Sequence, residues 1–150
     1  MSLVVWLGAV AGALVGPSTG PVDAVKSDAA KLVGTWQLVW AEQNGSRAPE
    51  AWMEKRVLVL TADGHFIMRT GEPEDNEGDF VLDTYRLPDA IDLRTYKGPF
   101  RGKTVFAIYE HTGGELTVCF PVLGTDRPTE FTSGPGSMHV LMKYRRVKFW

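Results

Sequence analysis

The sequence predicts an all-β fold, either an antiparallel barrel or a β-sandwich, from three observations. From Val33 onward, apolar and polar residues alternate with a period of two, which is typical of half-buried strands. Asp63-Gly64 and Gly113-Gly114 separate such runs, and these dipeptides favour tight hairpin turns. The strand-like runs are regularly spaced with almost no helix between them, so the chain is expected to form one all-β domain.

Eight segments have the pattern of a strand. They cover residues 33–43, 55–61, 65–70, 79–83, 90–95, 104–110, 115–120 and 138–146. Only residues 49–55 have a helical pattern, and Pro49 suits the first turn of a helix.

Length and composition restrict the function classes. The chain has 150 residues, with 16 Lys and Arg against 18 Asp and Glu, and a formal net charge of -2. With 44% hydrophobic and 23% charged residues, the composition excludes a disordered chain. The near-neutral balance argues against a nucleic-acid partner, which selects a basic surface. Cys119 is the single cysteine, so an internal disulfide and a Cys-rich zinc site are excluded, and its apolar neighbours predict a packed core position.

The N-terminal segment is predicted to be a cleaved secretory signal. The first 22 residues contain no charged side chain, and residues 3–15 are all apolar or glycine. This stretch is shorter than the roughly 20 residues that span a bilayer, but it fits the apolar region of a signal peptide. Val22-Asp23-Ala24 has small residues where cleavage after Ala24 requires them. An uncleaved membrane anchor is the alternative.

These patterns predict the domain organisation. Residues 1–24 are the signal peptide, 25–32 a linker and 33–150 the barrel domain. The mature protein is expected to be secreted or periplasmic, without stable membrane insertion after cleavage of the signal.

Several segments resemble a known family. Val33-Gly34-Thr35-Trp36 resembles the Gly-x-Trp opening of lipocalin-like barrels. Over about residues 28–146, the chain is similar to an uncharacterised lipocalin-like family known chiefly from planctomycete bacteria. The other similar segments are 90–93, 98–104, 108–110, 116–119, 127–131 and 144–146. The resemblance implies a lipocalin-like fold, so the eight predicted strands are expected to form an up-and-down antiparallel lipocalin-like barrel, preceded by the predicted N-terminal signal helix. It also implies export, and it carries no established activity.

Alternating strand directions predict an open and a closed end. The short connections at 62–64, 84–89 and 112–114 meet at one end, which we call the base. The longer connections meet at the other end, which we call the mouth. Small-molecule sites favour the mouths of such barrels.

The sequence predicts a non-enzymatic protein that binds a small, largely apolar ligand at the mouth. The candidate lining residues are Trp40, Trp52, Phe100 and Phe120, which are aromatic and lie near upper strand ends or in upper loops. The alternative is a filled barrel that acts as an envelope or extracellular protein-interaction module, because eight strands enclose little more than their own side chains. No protein partner is identified.

The residues that could support catalysis or metal binding are scattered. His65 and His111 are predicted at the base and His139 near the mouth, so they do not converge on one metal. The acidic stretch at 72–79 matches no EF-hand and is interpreted as a solvated loop. Residues 98–104 resemble a phosphate-binding loop, but a strand follows where that motif needs a helix. We therefore expect no enzymatic activity, no cofactor and no metal.

Three residues are predicted to close the base. The last strand returns to the base, where period-two alternation places Arg146 beside Trp36 at the start of the first strand. A guanidinium over an indole is favourable. The resemblance assigns the same structural role to Gly34 in the Gly-x-Trp opening. These residues are predicted to stabilise the barrel and not to contact ligand.

Overall fold

The computed structural model describes residues 28–149 and has the architecture of a closed antiparallel β-barrel. The elements in chain order are β1 (Gly34–Gln43), β2 (Ser46–Arg47), α1 (Glu50–Glu54), β3 (Val57–Leu60), β4 (His65–Arg69), β5 (Asn76–Asp83), β6 (Ala90–Lys97), β7 (Thr104–Thr112), β8 (Glu115–Pro121) and β9 (His139–Arg146). Each barrel strand pairs with the next, and β9 pairs with β1 to close the circle. The two-residue β2 only extends the β1 edge. The all-β, eight-stranded prediction is confirmed, and the fold is a barrel and not a sandwich.

The alternation of side chains explains why these segments form the wall. In β3, Leu58 and Leu60 are buried inside the barrel, whereas Val57 and Val59 are half-buried. The turn into β4 needs a left-handed residue, and Gly64 supplies it with φ of 82°. The period of two and the Asp-Gly turn thus fix both the face and the register of this hairpin.

The base of the barrel includes residues before β1. Residues 28–32 are helical, and Leu32 is 1% exposed within the core. The Trp36 indole nitrogen Nε1 donates a hydrogen bond to the Leu32 carbonyl, 2.9 Å away. The folded unit therefore begins before residue 33, and the predicted linker is wrong for residues 28–32. The signal helix predicted at 1–24 and residues 25–27 lie outside the described residues.

The long connection between β8 and β9, residues 122–138, packs against the outside of the wall. Arg127 donates from Nη2 to the Asp92 carboxylate at 2.6 Å and from Nη1 to the Ala107 carbonyl at 2.8 Å. Phe131 packs on a cluster of outward-facing side chains that includes Cys119. The Cys119 thiol donates to main-chain carbonyls of the same connection. These contacts fix the longest loop to the outer surface of the barrel.

Between residues 28 and 149, no helix has both the length and the apolar character needed to cross a bilayer.

Candidate functional site

The barrel encloses a cavity of about 550 Å³. Its deep walls are apolar side chains from strands all around the barrel, among them Leu58, Phe66, Leu93 and Val118. The lining continues through β2, α1 and Phe100 in the loop after β6, so the cavity reaches the mouth. The barrel is therefore not filled by its own side chains.

Three of the four predicted lining residues border this cavity. Trp52, Phe100 and Phe120 all line it. Trp52 and Phe100 are 37% and 46% exposed, which places them at the rim, and Phe120 is half-buried. The helix α1 holds Trp52 there because Met53 on the same helix is buried in the core.

Trp40 does not line the cavity, and the prediction for it is wrong. A β-bulge interrupts the pairing of β1 with β9: Leu38 lies opposite Tyr144, but Trp40 lies opposite Lys143. The extra residue, Val39, reverses the alternation, so Trp40 points outward. There it packs on the outer cluster, and the Lys143 ammonium lies 5.2 Å from its ring centroid.

The cavity lining also includes a positively charged side chain, Arg56, which is not among the residues predicted from the sequence. Arg56 immediately precedes β3 and shares the inward face of Leu58. Its guanidinium carbon lies 3.4 Å from the ring centroid of Trp52. Its Nη1 donates to the carbonyls of Trp52 at 3.0 Å and Thr70 at 3.3 Å. Burial lowers the pKa of Arg56, yet the group stays charged because the ordinary pKa is so high.

A buried phenol also faces the cavity. Tyr144 on β9 is 4% exposed and lines the cavity beside Met142. Its hydroxyl donates to the Met142 thioether sulfur at 3.3 Å, and a thioether is a weak acceptor. Burial raises the pKa of Tyr144 well above its ordinary value, so the hydroxyl keeps its proton at neutral pH.

The three residues predicted at the base lie together. The Arg146 guanidinium carbon is 4.2 Å from the ring centroid of Trp36. Arg146 also donates from Nη1 to the Val33 carbonyl at 2.7 Å and from Nη2 to the Lys31 carbonyl. Gly34 has φ of 144°, and a Cβ there would lie 2.5 Å from the Arg146 Nη1. Glycine therefore leaves the space that the guanidinium occupies. None of the three lines the cavity.

The three histidines lie in separate places. His65 contacts Glu77 at 3.3 Å and the Tyr96 hydroxyl at 2.9 Å. His111 meets the Trp36 ring edge-on at 5.7 Å, and His139 lies 3.3 Å from the Thr132 hydroxyl. Within residues 28–149, no three His, Cys, Asp or Glu side chains are arranged to hold a metal ion.

A second, small pocket of about 100 Å³ lies at the base. It is lined by polar groups, and the Tyr109 hydroxyl donates to the Asp28 carboxylate there at 2.6 Å. Asp89 borders the same pocket, and its pKa is raised by burial and by the negative charges of Asp28 and Asp83. Its volume suits a few water molecules and not an organic ligand.

Comparison of the chain with protein-family models, with curated proteins and with solved structures finds no match in any of the three. The closed eight-stranded barrel is consistent with a lipocalin-like fold. The resemblance to the lipocalin-like family stays a prediction.

Proposed function

We propose that this protein binds a small, largely apolar ligand in the barrel cavity. The observation that supports the proposal is the cavity itself, because about 550 Å³ lies in the range of roughly 300–1,000 Å³ typical of small-molecule sites. Its deep walls are apolar and its rim has aromatic side chains, so an apolar ligand would leave water on entering. Trp52 and Phe100 border the entrance, and Phe120 lies further in.

The chemistry of the lining supports binding without catalysis. Its charged side chains are Glu42, Arg47 and Arg56. Glu42 is engaged, since it accepts a hydrogen bond from the Ser133 hydroxyl. The lining contains no histidine and no cysteine, which are the commonest base and the most reactive nucleophile in such catalysis. A binding protein is therefore the more economical assignment.

The alternative function is a surface-interaction module built on a filled barrel. A solid interior would favour that alternative, because the outer surface would then be the place left for function. The cavity volume favours ligand binding over it.

Export is the second part of the proposal. It is supported by the uncharged apolar stretch at residues 3–15 and by the small residues before position 25. N-terminal sequencing of the protein recovered outside the cytoplasm is expected to begin near residue 25. Extracytoplasmic protein that still begins at Met1 would contradict cleavage.

A titration with N-phenyl-1-naphthylamine, a neutral fluorescent probe, tests ligand binding to the full chain. We expect saturable fluorescence enhancement. Val118→Trp should weaken the enhancement about tenfold or more, because the indole takes the space of the cavity. Val59→Trp is the matched control on the outer face of β3, where the same substitution leaves the cavity unchanged. Absence of saturable binding, or equal effects of the two variants in folded protein, would contradict the proposal.

A further inference from the structure

Arg56 is a half-buried cation at the rim of the apolar cavity, and it has no acidic partner among the described residues. Among residues 28–149, no carboxylate forms an ion pair with it. Glu72 is near enough to raise its pKa, but burial is the larger effect and lowers it. The one carboxylate in the lining, Glu42, accepts from Ser133. The positive charge at the rim is therefore not neutralised by the described residues, and it is available to an anionic group of a ligand.

The hydrogen bonds of Arg56 leave one side of the guanidinium free. Both of its bonds, to the carbonyls of Trp52 and Thr70, use Nη1. Nε and Nη2 donate to nothing within the described residues. These two nitrogens form a planar fork whose spacing matches the two oxygens of a carboxylate. Stacking on Trp52 holds the plane of the fork in place.

The Tyr144 hydroxyl is a second donor at the same level of the barrel. Leu38 on β1 pairs with Tyr144 on the neighbouring strand β9. The amide of Leu38 donates to the carbonyl of Arg56, which precedes β3, the neighbour of β1 on its other edge. Tyr144 and Arg56 therefore lie on either side of Leu38, and the Arg56 charge acts on the pKa of the phenol. Because the Tyr144 proton points only to a thioether, an anionic oxygen would be a far better acceptor.

We propose that the ligand of this cavity has a carboxylate, which Arg56 binds through Nε and Nη2 while the Tyr144 hydroxyl donates a third hydrogen bond. The inference rests on the proposed function and narrows it to an apolar carboxylic acid. The apolar body of the ligand fills the space between Phe66, Leu93 and Val118.

The test compares two probes that share one apolar body and differ only at the carboxyl group, which is ionised in one and a neutral methyl ester in the other. Dansylaminoundecanoic acid and its methyl ester have the same apolar body, and both are titrated into the full chain by fluorescence. We expect the acid to bind about tenfold or more tightly than the ester, because hydrogen bonds to a charged group are the stronger ones. Equal affinities would overturn the carboxylate assignment and leave apolar binding intact. Binding of neither probe would overturn the proposed function, and this inference with it.

Single substitutions test which residues recognise the ligand carboxylate. Arg56→Gln should remove most of the preference for the acid and leave the affinity for the ester nearly unchanged. Tyr144→Phe should lower the affinity for the acid by about threefold to tenfold. Arg69→Gln is the matched control, because Arg69 is an exposed arginine that pairs with Asp75 on the outer face of β4. It should leave both affinities unchanged.

The structural role of Arg56 requires one more variant. Its Nη1 bonds tie α1 to the end of β4, so Arg56→Gln could loosen the mouth. Arg56→Lys keeps the charge without the fork, and it should retain part of the preference for the acid. A full preference that survives in folded Arg56→Gln would overturn the assignment of Arg56.

Discussion

The contact of Arg146 with Trp36 at the base should contribute a measurable coupling energy to stability. Arg146→Ala removes a cation–π contact at 4.2 Å, which contributes about 0.5–2 kcal/mol. It also removes two hydrogen bonds to the carbonyls of Val33 and Lys31. Because Arg146 is only half-buried, solvent reduces their contribution, and we expect a total loss of about 2–4 kcal/mol.

The partner substitution acts through a different set of bonds. Trp36→Phe keeps an aromatic ring but leaves the buried Leu32 carbonyl without its indole donor. The lost hydrogen bond and the smaller ring should cost about 2–3 kcal/mol. Since the Arg146 cation binds an indole better than a phenyl ring, the double variant should lose less than the sum of the single losses, by a part of the cation–π contribution, about 0.5–1 kcal/mol.

Urea unfolding followed by circular dichroism measures the four free energies of this cycle. Arg145→Ala is the matched control, because Arg145 is exposed, and its replacement should change the free energy of unfolding by less than about 0.5 kcal/mol. Additivity of the two single substitutions within about 0.3 kcal/mol would refute the coupling.

Two further substitutions and one chemical reaction test how the wall and the base of the barrel are stabilised. Gly34→Ala should lower the free energy of unfolding, measured with urea, by about 2–4 kcal/mol, because φ is 144° and the added methyl group would displace the Arg146 guanidinium. A change under about 0.5 kcal/mol would contradict the close contact of Gly34 with Arg146. Cys119 should react with a thiol reagent only as fast as the protein opens, because the thiol is buried and burial raises its pKa. Rapid labelling of the folded protein would refute this burial. Arg127→Met should lower the free energy of unfolding by about 3 kcal/mol in the same urea assay, because it leaves the Asp92 carboxylate buried and unpaired. An unchanged urea midpoint would contradict the role of Arg127 in pairing with Asp92.

The sequence predicts the strands well because their signals are local. The period-two alternation and the Asp63-Gly64 turn depend on neighbouring residues only, and every predicted strand is present. Pro49 likewise precedes the short helix α1 that was expected there. Closure of the sheet requires β9 to meet β1, which are nearly the whole domain apart in sequence.

The errors arise where structure depends on distant contacts. The bulge at Val39 turns Trp40 outward, and no residue type in that stretch marks it, because its register is set by β9. Residues 28–32 were assigned to a linker, but Leu32 is buried because the barrel base receives it. A segment of five residues is too short to show a periodic pattern of apolar residues, so its burial against the barrel cannot be predicted from the sequence.

Arg56 was missed for a related reason. Its spacing from Leu58 and Leu60 is the one available signal that it faces inward. A charged residue at the end of a predicted strand is ordinarily expected to be solvated. Whether its side chain also borders a cavity depends on how all the strands of the barrel are arranged. The unused Nε and Nη2 donors become visible only when its neighbours are in place.

Amide chemical-shift mapping of the full chain with the methyl ester of dansylaminoundecanoic acid is the most direct test of ligand binding in the cavity. The neutral ester reports on the apolar cavity independently of Arg56. We expect saturable shifts at Leu58, Phe66 and Val118, which line the cavity, and none at the outward-facing Ile108 and Leu141. Shifts confined to the outer cluster, or no saturable shift at all, would contradict ligand binding in the cavity.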